Sequence, residues 1–205
     1  MNAAAVIAAL ALPPECLIGR RVPKTLWPEA LRDRAGEAIA DLRWEAALKP
    51  ENCGIPACSD VPEIQVLALA LRGAARADSH AAHVRAAVPY PALLLLTASD
   101  GSLALCIADA PVCTLGDDPV TTAWLPTLAL GRQPRASLAA VYGAWAAELD
   151  SLRAARIAGT APAPPSGAEA ALRRRQALDD YSRLESEMAS LRARAGKEKQ
   201  IGRRA

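Results

Sequence analysis

Phenylalanine is missing from this 205-residue chain, and aromatic residues make up only 3% of it. With 52% hydrophobic residues a core is still within reach, but Leu, Ala, Val and Ile must build it; that fraction excludes global disorder. The chain holds two histidines and no Gly-Xaa-Ser-Xaa-Gly run, so the usual nucleophile-and-base arrangements lack their parts. No glycine-rich run precedes a Lys-Ser or Lys-Thr pair, and no dinucleotide fingerprint occurs, which removes the phosphate-cradling loops. Long hydrophobic runs are lacking too. Ala92 to Leu96 is strand-length, far short of the roughly 20 residues that cross a bilayer. The apolar start, Met1 to Leu12, lacks a positively charged n-region and stops at Pro13-Pro14. It reads as a short helix turning Val6, Ile7 and Leu10 to the core, not as a signal peptide. Cys16, Cys53, Cys58, Cys106 and Cys113 are an odd set without a secretory signal. They are expected to be reduced thiols in the cytoplasm.

What is present is unevenly distributed. Residues 1–150 hold 12 Lys and Arg against 16 Asp and Glu, a net of −4, whereas residues 151–205 hold 12 against 6, a net of +6. Such a split marks an interaction tail; the plainer reading is an Arg-rich solvated helix.

Periodicity predicts a helix over Glu29 to Leu48, with apolar steps of three and four through Leu31, Ala35, Ala38, Ile39, Leu42, Ala46 and Ala47. Pro28 would open it and Pro50 would stop it. Glu63 to Arg72 reads as a strand covered on both faces, since Ile64 and Val66 alternate with Leu67, Leu69 and Leu71. Ala74 to Val88 is helical. Ala92–Thr97 and Ser102–Ala108 form a hairpin around Asp100-Gly101. Thr122 to Leu125 is expected as one more short strand. Ser137 caps a helix running from Leu138 to Ile157, and Gly159 ends it. The expected architecture is α+β: a small mixed sheet flanked by helices, with a coiled-coil-like C-terminal helix. Its parts are a core domain over 1–159, a Pro-rich linker over 160–167 and a basic helical tail over 168–205. In the tail, Ala177, Tyr181, Leu184, Met188, Leu191 and Ala195 recur at alternating steps of four and three, a heptad seam. Gly196 is expected to begin fraying.

The order of short motifs carries a resemblance. Ile18-Gly19-Arg20-Arg21-Val22-Pro23-Lys24 comes first, then Trp44-Glu45-Ala46-Ala47-Leu48-Lys49-Pro50, Gly54-Ile55-Pro56, Glu63-Ile64-Gln65-Val66 and Val88-Pro89-Tyr90-Pro91. The helical end Lys197-Glu198-Lys199-Gln200 closes the series. Along essentially the whole chain this resembles the bacterial domain-of-unknown-function family 4391 (DUF4391). The resemblance implies an intracellular α+β body with a coiled-coil-like end, encountered beside DNA methyltransferase and helicase genes in restriction-like or phage-defence settings. It carries over no reaction and no cofactor.

Three functions compete on the residues. The first is a non-catalytic accessory protein whose seam Tyr181, Leu184, Met188 and Leu191 docks on a protein partner, such as a methyltransferase or helicase encoded nearby, or on a second copy. The second is a metal-dependent nuclease-like site at Asp60, Glu63 and Gln65, with Glu45 on the preceding helix. Oxygen ligands around a strand suit Mg²⁺, but Glu63-Ile64-Gln65 lacks a companion Lys. The third is sequence-blind DNA binding through basic groups. Those are Arg20, Arg21 and Lys24 near the start, Arg173, Arg174 and Arg175 opening the tail, and Arg192, Arg194, Lys197, Lys199, Arg203 and Arg204 closing it. Cys53 with Cys58, Cys106 with Cys113, and His80 with His83 do not repeat at zinc-ligand spacing, so no metal is assigned.

Overall fold

Strand β4 (Ala92–Thr97) lies inside the sheet and shows how the body is built. Its side chains alternate, so Leu93 and Leu95 enter one hydrophobic layer while Leu94 and Leu96 enter the other. The computed structural model describes residues 1–29, 31–32, 38–72, 77–107 and 112–201, with side chains for all of these except 77–79 and 197–201. Among them six strands form one sheet in sequence order: β1 (Leu17–Arg21), β2 (Ile39–Leu48), β3 (Ile64–Leu71), β4, β5 (Leu103–Ile107) and β6 (Cys113–Leu115). Only β3 and β4 run parallel. A parallel pair needs a crossover, and helix α3 (Ala77–Ala87) supplies it. The helices before it are α1 (Ala3–Ala9) and α2 (Pro50–Cys53); those after it are α4 (Pro119–Trp124), α5 (Leu138–Ala158) and α6 (Ala168–Ile201).

The two faces are closed differently. On one face Ile64, Val66, Leu93 and Leu105 meet Val6 and Leu10 of the N-terminal helix region, Trp124 of α4 and Trp145 and Leu149 of α5. On the other, Leu67, Leu69, Leu94 and Cys106 meet Trp27, Leu31 and the Ala81 and Val84 of α3. The double-sided reading of the third strand therefore holds. So does the hairpin, where Gly101 takes a φ of 82° that a side chain would strain. Ser137 caps α5 by accepting from the Ala140 amide at 3.1 Å, and Gly159 closes it in the left-handed conformation.

Two expected elements are corrected. Glu29, Leu31 and Arg32 are helical, but the chain from Ile39 to Leu48 is a strand; residues 33–37 lie outside the described set. Trp44 and Glu45 therefore stand on β2, not on a helix. Two bulges explain the misreading, between Ile39 and Asp41 and between Trp44 and Ala46. Each adds a residue to the two-residue period. The second switches faces: Leu42 and Trp44 pack in one layer, Ala46 and Leu48 in the other. Apolar steps of three and four then arise in a strand. Pro50 opens the short α2 at its first position instead of stopping a helix. Thr122 to Leu125, read as a strand, belongs to α4 and the turn after it; Asp118 caps α4 by accepting from the Thr121 amide at 2.8 Å, and Pro119 sits at its start. β6 was not anticipated at all.

The chain divides into two compact units, Met1–Ala163 and Pro164–Ala205. In the second, the backbone of α6 stays helical through Gly196 to Ile201, so fraying at the glycine is also corrected. One glycine costs about 1 kcal/mol in a helix, which the strong helix formers around it absorb.

Candidate functional site

The seam is a property of α6. Residues at alternating steps of three and four fall on one side of a helix, and here that side is uncovered. Tyr181 is 40%, Leu184 52%, Met188 46% and Leu191 60% exposed. Ala177 and Ala195 continue the line and are exposed as well. Polar residues flank it: Arg183 is ion-paired to Asp180 at 2.9 Å, and the Tyr181 hydroxyl donates to Glu185 at 3.1 Å. That bond to a carboxylate pushes the Tyr181 pKa upward, so the phenol stays neutral and the ring remains an apolar surface with one polar tip.

The basic groups belong to both units of the chain. Arg20 and Arg21 lie on β1, the edge strand, whose five residues are all exposed. Arg21 pairs with Asp41 at 2.5 Å, and the Lys24 ammonium stands 5.5 Å from the centre of the Trp27 ring. These residues line a hollow of about 290 Å³. In α6, Arg173 pairs with Glu169, Arg174 and Arg175 are half-buried and engaged, and Arg192 and Arg194 are exposed. The side chains of Lys197 and Lys199, and all of Arg203 and Arg204, lie outside the described residues.

The acidic trio is only partly assembled. Gln65, at the start of β3, donates to Glu63 at 2.6 Å, and Lys49 at the end of β2 reaches the other Glu63 oxygen at 3.0 Å. The antiparallel register places Leu48 opposite Ile64, and so brings Lys49 beside Glu63. That contact raises the Lys49 pKa, chiefly through its hydrogen bond to Glu63. Lys49 is the residue the sequence reading missed. The helix expected over Glu29 to Leu48 hides this signal, since it leaves Lys49 with no neighbouring strand. Asp60 instead accepts from Ser59 at 3.2 Å, and Glu45 pairs with Arg43 at 2.9 Å. Among the described residues no three of His, Cys, Asp and Glu converge.

None of the five cysteines is in a disulfide, and four of them are buried. Burial, with Cys53 nearby, pushes the Cys16 thiol up to about 11, so it stays a protonated, unreactive thiol near neutrality. Among the described residues no helix is long and apolar enough to cross a membrane.

Fold and surface together define a class: a mixed-sheet α+β body followed by a long helix with an uncovered apolar stripe. The chain belongs to the family described as Domain of unknown function (DUF4391), whose model matches residues 10–205. Nothing among curated proteins and nothing among solved structures matches the chain.

Proposed function

We propose that this chain is a non-catalytic accessory protein that docks on a protein partner through the stripe Tyr181, Leu184, Met188 and Leu191. One observation carries the reading: four large apolar side chains on one side of a 34-residue helix are 40% to 60% exposed. Contiguous apolar surface of this kind marks an interaction site, and an amphipathic helix laid against an apolar partner is a recurrent way of filling one. A partner from bacterial DNA processing or phage defence, with a methyltransferase or helicase as the candidate, is what the resemblance by motif order implies. Five cysteines outside any disulfide suit a cytoplasmic setting. The test replaces Leu184 and Met188 by Ser in the full-length chain and measures binding to the purified neighbour proteins. Loss of binding with an unchanged thermal transition of the body is the expected result. Full binding by the double variant would refute the reading.

A second reading has its own observation. Lys49 stands 3.0 Å from Glu63 and supplies from a neighbouring strand the cation that the Glu63-Ile64-Gln65 run lacks. A nuclease-like centre built there would need Glu63 to act. Mg²⁺-dependent cleavage of DNA that Glu63→Gln abolishes without loss of stability would establish it, and an inert wild-type protein would end it.

A further inference from the structure

We infer that the stripe on α6 is taken by the α6 of a second copy of this chain, running antiparallel, with Met188 opposite Leu191 and Leu184 opposite Ala195. This rests on the docking reading above and names its occupant. The argument is the charge pattern beside the stripe. With Tyr181, Leu184, Met188, Leu191 and Ala195 along the seam, Glu185 and Arg192 flank it on one side, seven residues apart, and Asp180, Glu187 and Arg194 flank it on the other. Flanking charges choose partner orientation and register in paired helices.

Each alternative meets a conflict. A parallel pair in register sets Asp180 of each copy against Glu185 of the other, two like-charge contacts. Reversing one helix brings the same flank of both copies together. If the centre of symmetry falls between Ala189 and Ser190, Glu185 faces Arg192 and Glu187 faces Arg194. Symmetry doubles these into four opposite-charge pairs with no like-charge contact among them. A shift of one heptad in one direction opposes Glu185 to Glu185 and Glu187 to Glu187; a shift in the other opposes arginine to arginine. Only this register satisfies both flanks while keeping Leu184, Met188, Leu191 and Ala195 in the seam. It overlaps the two helices over residues 178–201. It also sets the two Ala168 ends about 65 Å apart at 1.5 Å per residue, which separates the net-negative chains leading into them.

Sedimentation equilibrium on the full-length chain is the test, with two charge-reversed variants, E185R/E187R and R192E/R194E. Wild type is expected to show a monomer–dimer equilibrium. Each variant alone should self-associate about a hundredfold more weakly, since four attractive pairs become repulsive. An equal mixture should recover a one-to-one dimer, because one variant is then all basic and the other all acidic along the seam. Orientation is read separately by oxidising Leu184→Cys and Ala195→Cys chains and mapping the disulfides by mass spectrometry. The two should crosslink to each other and neither to itself. Self-crosslinking of each would overturn the antiparallel arrangement, and dimers that survive both charge reversals would overturn the register. A wild type that stays monomeric while Leu184→Ser/Met188→Ser loses a purified partner would overturn self-pairing and leave the docking reading standing. A monomer whose partner binding ignores the stripe would end both.

Discussion

In β4 the residues from Ala92 to Leu96 are buried on both sides of the sheet, whereas in α6 the residues Tyr181, Leu184, Met188 and Leu191 are between 40% and 60% exposed. Both segments are rich in leucine or its like; what differs is the burial of these side chains. The body covers β4 with α1, α4 and α5 on one face and α3 on the other, and it ties the covers down with specific bonds. Trp145 donates to the Leu128 carbonyl at 2.8 Å and Trp124 to that of Glu148 at 2.8 Å. Arg156 donates to the Thr114 carbonyl on edge strand β6 and reaches Asp118 at 2.9 Å and the Thr121 hydroxyl at 2.5 Å. In α6 the ion pairs Arg173–Glu169, Arg183–Asp180 and Arg183–Glu187 are local, between side chains three or four residues apart. Each such pair contributes only a few tenths of a kcal/mol. Hydrophobic area in the body is buried, whereas these four side chains of the tail stay exposed.

Substitutions that treat the two regions alike should separate them most clearly. Trp145→Ala empties a fully buried site and strands the Leu128 carbonyl. It should cost about 3–5 kcal/mol, seen as an earlier urea midpoint for the body.

A smaller effect is expected from Asp118→Asn, through pH. The Thr121 hydroxyl and amide, with Arg156, hold the Asp118 carboxyl well below the usual carboxylate range. A depressed native pKa gives stability that is present above the unfolded value of about 4 and lost as pH falls below it. The variant should flatten the stability curve on the acid side of about pH 4 and leave its neutral part less changed in slope.

Glycine-to-alanine changes should have opposite signs in the two regions. Gly101→Ala forces a side chain into a φ of 82°, costing about 1 kcal/mol. Gly196→Ala in α6, where a Cβ meets nothing within 4 Å, should add up to about 1 kcal/mol of helix stability, visible as increased helical circular dichroism. Smallest of all for folding is Leu184→Ser with Met188→Ser, expected within about 0.5 kcal/mol; a large loss of body stability there would break the comparison.

Much of this was legible along the chain. The alternating pattern of Ile64–Leu71, the Asp100-Gly101 turn, the Ser137 and Gly159 caps and the apolar stripe of α6 are local features, and local physics settles them. The candidate contacts divide in the same way. The stripe was readable because helical geometry follows from spacing, while Lys49 beside Glu63 was not, because it depends on strand pairing between residues 14 positions apart. α4 was misread for a different reason: its threonines suit a strand, and the cap from Asp118 outweighed that preference.

By itself, then, the sequence determined the elements whose period and caps lie within one segment, and with them the order of an α+β body followed by a helix. Tertiary structure alone decided that Ile39–Leu48 is a strand, because bulges against β3 move its apolar residues from one face of the sheet to the other. It alone brought Arg156 to the open carbonyl of β6 and Lys49 to Glu63. Those outcomes depend on which segments lie side by side, and burial of apolar surface across the whole sheet chooses that, not the residues of any one segment.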